Sequence, residues 1–365
     1  MHATKVHNST IAFILAFCLM YSLYLYSFDS GASSGGVGLR VFLKLCVVII
    51  LFADGFRLKM EKYKLPLFFF MLFGLFSIIL FLPFYSSRDL QWINQFMIFP
   101  LLFWRPKMPI SKFKRLFAII FYLWFVVDVI ILYTDRSLWI NEAFVGGVGN
   151  PSSFGLFSIL AIAIGFYDRK YLLFILGIIG LLMSKALMPV LALIVSFLIV
   201  TRLRTKIILF SCAIIALAKL DDILNWLPAH LSFKIEGLIS FISQGDYKNL
   251  ASIGTRLEFL DSAKLSLGEW HTFLIGKYGQ SYYYSGDSQW LTFLTSFGVP
   301  LTILFFIACV LVWRVVIVRA QSELIELFFL ALFFLFITNR ILDYWPVFIV
   351  VIYFINRIHF ENSSS

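Results

Sequence analysis

Apolar residues run in long blocks along almost the whole chain, and polar residues gather in short breaks between them. Blocks such as 11–28, 65–84 and 301–312 carry almost no polar side chain. Splitting the chain at the polar breaks predicts about twelve helical spans, against the roughly 20 apolar residues that a straight bilayer crossing takes. Their limits are 11–28, 37–53, 65–85, 90–104, 116–134, 151–167, 171–183, 187–201, 207–220, 289–313, 324–337 and 346–357. The expected architecture is an all-α polytopic membrane protein in three parts. Residues 1–220 hold spans one to nine with short loops, one of them external at about 135–150. Residues 221–288 form a long external loop with amphipathic helices, and residues 289–365 hold the last three spans and a tail.

Composition strengthens this reading. The chain is 61% hydrophobic and 14% charged, with 43 phenylalanines and a mean hydropathy of +0.91. A soluble core cannot use this much apolar surface. The polar start, residues 1–10, leads into a run that ends in "YSLYLYSFDS" and not in a small-residue cleavage site, so the first run is expected to stay as an anchor. Cys18, Cys46, Cys212 and Cys309 all fall inside apolar runs, where cysteine acts as a small hydrophobe, and no disulfide framework is expected.

Charge placement sets the topology. Loops taken alternately from the N-terminal side contain "RLKMEKYK", "RPKMPISKFKR", "DRK", "RLRTK" and "RVVIVRAQSE". With the two termini they hold more than half of the 30 basic residues and a quarter of the 20 acidic ones. The positive-inside rule then puts both termini in the cytoplasm. The net charge of +10 is a topology signal, and nucleic acid drops out as a partner. The cytoplasmic loops are too short for a nucleotide-binding domain, and no phosphate-binding G-x-x-x-x-G-K-[ST] loop occurs, which excludes an ATP-driven pump.

Chemistry is therefore expected outside, above all in the long loop. Its segment 227–245 has apolar residues at helical spacing and predicts a helix on the outer membrane surface. In "GTRLEFLDSAK", Thr255 and Glu258 have the spacing of a capping box that starts a helix, and Asp261 and Lys264 the spacing of an ion pair. Arg256 would then sit in the first turn, where the helix dipole disfavours a cation unless an anion is bound there; a solvated surface arginine is the plain alternative. Tyr282, Tyr283 and Tyr284 offer stacking faces for sugars, or an interfacial aromatic belt. Asp287, at the mouth of span 289–313, is placed to act as a base or as a helix cap. Arg136, Lys185 and Arg340 are further cations near the external surface, and Lys185 falls between two apolar runs with almost no loop. Asp128, within span 116–134, is costly in lipid and is expected to face the bundle interior. His230 and His271 lack ligand partners at useful spacing, so no metal site is expected.

"GNPSSFG" opening one span, "SKA" (184–186) beginning another, "GTRLEF" in the long loop and "GDSQWLTFLTSFGVP" opening a third together resemble the O-antigen polymerase (Wzy) family. They also resemble the related O-antigen ligases. The resemblance covers residues 130–300 and rests elsewhere on layout. It implies a GT-C-like, inverting, metal-independent glycosyltransferase of the bacterial inner membrane, with no cofactor and a periplasmic active site. Donor and acceptor would be undecaprenyl-pyrophosphate-linked glycans, with membrane lipids and a chain-length regulator protein as partners. On this resemblance Arg256 matches the family's arginine in the long loop. Lys185 takes a place where related sequences often carry arginine, so a point charge replaces a bidentate fork. Asp287 stands near the position where ligases tend to have histidine, which favours polymerase and marks Asp287 as the base. Catalysis would fall to Asp287 and Arg256. Lys185, Arg136, Arg340, the three tyrosines and His271 would bind substrate. An R-x10-G pattern described in some polymerases is met by Arg136 with Gly147 and missed by Arg256. The rival readings are an O-antigen ligase transferring glycan to lipid A-core, and a flippase or transporter for lipid-linked glycans. The latter would spread polar residues through many spans.

Overall fold

The computed structural model describes residues 10–14, 35–57, 60–81, 99–134, 143–148, 150–200, 229–244, 251–276, 288–320 and 322–361, together with Lys219, Asp222 and Asn225. Among these residues the protein is all-helical, with an isolated antiparallel bridge between Phe56 and Trp104. The helices are α1 (Gly35–Asp54), α2 (Leu65–Phe81), α3 (Ile110–Thr134), α4 (Pro151–Tyr167), α5 (Tyr171–Met183) and α6 (Leu187–Val200). There follow α7 (Ala229–Gln244), α8 (Ala251–Leu267) and α9 (Trp270–Ile275) in the long loop, then α10 (Gln289–Val315), α11 (Glu323–Leu335) and α12 (Trp345–Glu361).

Nine of the expected spans thus have a described helix, and the limits of α4 and α5 coincide with those read from the sequence. The expected spans 11–28, 90–104 and 207–220 lie largely outside the described residues. Among the described residues, α3 and α10, the latter continued through Val318, are the helices long and apolar enough to cross a membrane by themselves; α4, α5, α6 and part of α12 are shorter apolar helices. Helicity is therefore established, and a count of twelve crossings is not.

The expected unbroken span 289–313 needs correction, because α10 breaks at Gly298 (φ 79°, ψ 174°). Only glycine adopts that conformation readily. Pro300 sits near the start of the second half, where its missing N–H costs little. The break receives the end of α9. A Cβ on Gly298 would lie 2.7 Å from the Leu274 carbonyl, and one on Gly276 (φ 79°) would lie 2.3 Å from the Ser296 carbonyl carbon. Two glycines thus let two backbones touch, and the long loop is riveted to the bundle there.

Helix pairing follows the same small-residue logic. In the α4–α5 hairpin, a Cβ on Gly165 would strike Phe174, one on Gly177 would strike Ile162, and one on Gly180 would reach the Ser158 hydroxyl at 3.0 Å. Helix α11 packs against α6 and α4, and α10 against α2. Helix α3 buries Phe117, Phe121, Trp124 and Asp128 and leaves Ile119, Leu123, Val126 and Ile130 more than half exposed, each three or four residues from the next.

One end of the bundle is tied together by polar contacts. Arg105 N–H donates to the Gly55 carbonyl (2.9 Å), Arg57 N–H to Phe103 (3.0 Å), and Lys107 N–H to Asp54 Oδ2 (3.0 Å). The buried Lys64 ammonium lies 2.8 Å from Glu61 and donates to Asn356 Oδ1 at 2.7 Å. Burial holds its pKa below the usual lysine value, against the opposing pull of the Glu61 carboxylate. Lys114 bridges to Asp168 at 2.6 Å and joins the start of α3 to the α4–α5 turn. Segments 55–64, 101–115 and 168–170 and the second half of α12 are thus gathered at one end, and the first three are loops that alternate numbering put on a single side.

Candidate functional site

The opposite end carries two polar constellations. In the first, α5 stops at Met183 and the chain reverses through Ser184, Lys185 and Ala186 into α6. Lys185 holds a left-handed backbone (φ 51°), rare for a residue with a Cβ and worth about 1–3 kcal/mol of local strain. The turn is fixed by Ser184 N–H to Gly180 O (2.9 Å), the Ser184 hydroxyl to Leu181 O (2.7 Å) and Lys185 N–H to Leu182 O (3.0 Å). Segment 143–148 lies against it, because Phe144 N–H donates to Met183 O at 2.8 Å. The same segment is pinned to α3 by Gly146 N–H donating to Asp128 Oδ2 at 2.9 Å. Asp128 is fully buried, as expected of an acid in this helix, and its second carboxylate oxygen has no hydrogen bond. Asn150 caps α4 by accepting Ser153 N–H at 3.0 Å, with Pro151 in the first turn, which bears out "GNP" as a helix start.

The second constellation joins the start of α10 to the α11–α12 connection. Ser288 caps α10, its hydroxyl accepting Leu291 N–H at 3.4 Å. That assigns the N-cap to Ser288. Gln289 is fully buried; its N–H donates to Phe336 O (3.0 Å) and its Oε1 accepts Leu342 N–H (3.2 Å). Its side-chain nitrogen has no hydrogen-bond partner. Half-buried Arg340 lies on the segment that Gln289 holds, and Lys44 stands 5.9 Å above the Trp345 ring. Helix α12 runs from this connection to Asn356 at the tied end, so the second constellation lies at the same end of the bundle as the first.

Two expectations about the long loop change. The expected capping box at Thr255 fails: α8 starts at Ala251, so Thr255 and Arg256 lie in its second turn and Arg256 is not at the helix start. The T-x-x-E spacing fits one turn inside a helix as well as a cap, and nothing from Ala251 to Gly254 stops the helix earlier. The dipole argument for an anion at Arg256 therefore lapses. The Asp261–Lys264 pair forms, at 3.1 Å, but both side chains are about two-thirds exposed and the pair contributes little. His271 is exposed on α9, 3.0 Å from Glu269 and edge-on to Trp270. Asp287, Arg136, Tyr282, Tyr283 and Tyr284 lie outside the described residues, and Arg256 is described by its backbone alone.

Sequence reasoning singled out Asp128 without giving it a role at the site, and passed over Gln289, Ser288 and Asn150. A signal existed for two of them. Asp128 is the lone acid in a 25-residue apolar helix, and Gln289 is an amide at the entry to another. Compared with known protein families and with curated proteins, the sequence finds no match.

Proposed function

We propose that the protein is a membrane-embedded glycosyltransferase that joins undecaprenyl-pyrophosphate-linked oligosaccharide repeat units, an O-antigen-type polymerase of the bacterial inner membrane. Both termini are cytoplasmic and the reaction runs on the periplasmic face. The observation that carries this reading is a basic residue at an apolar helix junction, away from the basic loops: Lys185 holds a left-handed turn beneath segment 143–148. Arg340 lies on the segment that Gln289 holds through Leu342. The exposed apolar stripe of α3 suits lipid contact.

The chemistry follows from charge. Expelling a lipid pyrophosphate builds negative charge on the leaving group, and fixed cations in a poorly hydrated site stabilise it. Lys185, Arg340 and Arg256 serve that role, with Arg136 as a further contact. Asp287, at the entry to α10, removes the proton from the acceptor hydroxyl as that oxygen attacks the anomeric carbon. The tyrosines and His271 hold sugars, and a separate protein sets chain length. The test in cells is Lys185→Ala. Long polymer should vanish and lipid-linked single units accumulate while the protein stays in the membrane; a normal polymer ladder removes Lys185 from the site.

A further inference from the structure

In the long loop, the six residues of α9 turn most of their apolar side chains outward. Trp270 is 75% exposed, and Phe273, Leu274 and Ile275 are nearly half exposed. Thr272 is the buried residue of this helix, its hydroxyl donating to Glu269 Oε2 at 3.3 Å. Four large apolar side chains on one short helix make a patch that soluble surfaces seldom leave to water, and such a patch marks a contact with lipid or with another protein.

The level of α9 along α10 decides between the two. The Leu274 carbonyl meets the break at Gly298 and Gly276 lies against Ser296, so α9 is fixed to α10 there. From Gly298 to Val318 the helix rises about 30 Å at roughly 1.5 Å per residue, close to the thickness of the hydrocarbon core. On this stretch Ile303, Phe306, Ile307 and Val310 are exposed at helical spacing, a single apolar stripe. On the other side of the break the character changes: Gln289, Thr292, Thr295 and Ser296 are polar and buried in the protein. The break therefore falls at the edge of the hydrocarbon, and α9 continues the stripe of α10 at that edge. Trp270 stands edge-on to His271, with Glu269 beside them, which gives an apolar body with polar neighbours, the arrangement that suits a membrane interface. A protein partner would have to displace lipid to reach this face.

We infer that α9 is an interfacial anchor, its Trp270, Phe273, Leu274 and Ile275 side chains inserted among the acyl chains of the leaflet away from the basic loops. This rests on the membrane embedding proposed above, through α10 as a crossing helix, and needs no glycosyl transfer. Only Gly268 and Glu269 separate α8 from α9, so the anchor also keeps the end of α8 at the membrane surface.

The test uses tryptophan fluorescence of the full-length protein in nanodiscs. Trp270 is one of nine tryptophans, so its signal is read as the difference between the protein and Trp270→Phe, which keeps an aromatic ring in an exposed place. Phosphatidylcholine brominated just below the carbonyls should quench that difference at least about twofold more than the same lipid brominated at the chain ends, as an indole at the interface requires, and aqueous iodide should hardly quench it. Leu274→Trp placed in the Trp270→Phe protein is a second probe on the same helix and should behave alike. Quenching by iodide and not by bromolipid puts α9 in water and overturns the inference. Stronger quenching from the chain ends puts it at mid-membrane, and quenching by neither puts it under protein, a second copy included; each overturns it as well. Bromolipid quenching in protein that makes no polymer keeps the anchor and retires the function, and polymer synthesis with iodide-quenched Trp270 does the reverse.

Discussion

Lys185 joins an unfavourable backbone to a charge at an apolar helix junction, and that combination separates function from stability. The left-handed conformation (φ 51°) suits glycine and is resisted by lysine. Lys185→Gly should therefore leave unfolding temperature unchanged or raise stability by up to about 1 kcal/mol, since relief of strain offsets the freer unfolded chain. The same variant should lose at least about 100-fold in transfer rate, as expected for one donor to developing charge. A marked loss of thermal stability would make Lys185 a structural residue. Asp287→Asn should bind donor normally and transfer no sugar; full turnover by that variant would remove Asp287 as the base. At this scale the sequence was informative wherever a charge interrupted an apolar run, as at Asp128 and Lys185. It was silent on Gln289, because an amide's importance lies in which of its hydrogen bonds are left unmade, and only the fold decides that.

Among the elements, those whose boundaries were legible have chemical stops. Helix α4 starts at Asn150–Pro151 and ends at the Asp168–Lys170 turn, and both limits follow from capping and charge. The start of α8 was not legible, because Thr255 and Glu258 are also neighbours one turn apart inside a helix. The break in α10 had a signal in "FGVP", but hydropathy alone runs straight through it. That break joins α9 to the bundle through Gly276 and Gly298, which yields a sharp expectation. Gly276→Ala and Gly298→Ala should each destabilise the protein by about 2 kcal/mol or more, from strain at positive φ and from backbone collision. Because both act on one contact, the double variant should cost much less than the sum. Unfolding midpoints of the four proteins measure this, and strict additivity would contradict the shared contact.

For the whole molecule, helical class and the gathering of three basic loops at one end were readable from hydropathy and charge, because both depend on averages over many residues. The number of crossings was not, because helices of 13 to 17 residues such as α5 and α4 fall short of a straight span, and packing decides how they lie. The tied end should act as structure alone. Lys64→Ala takes from largely buried Glu61 its 2.8 Å partner, leaving Arg57 at 3.8 Å, and from Asn356 its donor; it should destabilise the fold by up to about 3–5 kcal/mol, with the transfer rate of the protein that remains folded unchanged. The central claim is that this chain by itself polymerises lipid-linked repeat units. The direct measurement is incubation of the purified protein in lipid with an undecaprenyl-pyrophosphate-linked repeat unit and no other glycan acceptor. The account predicts a ladder of lengthening lipid-linked glycans and release of undecaprenyl pyrophosphate, both lost in Lys185→Ala. Absence of polymer from folded protein, or glycan transfer that appears only when lipid A-core is added, would contradict it.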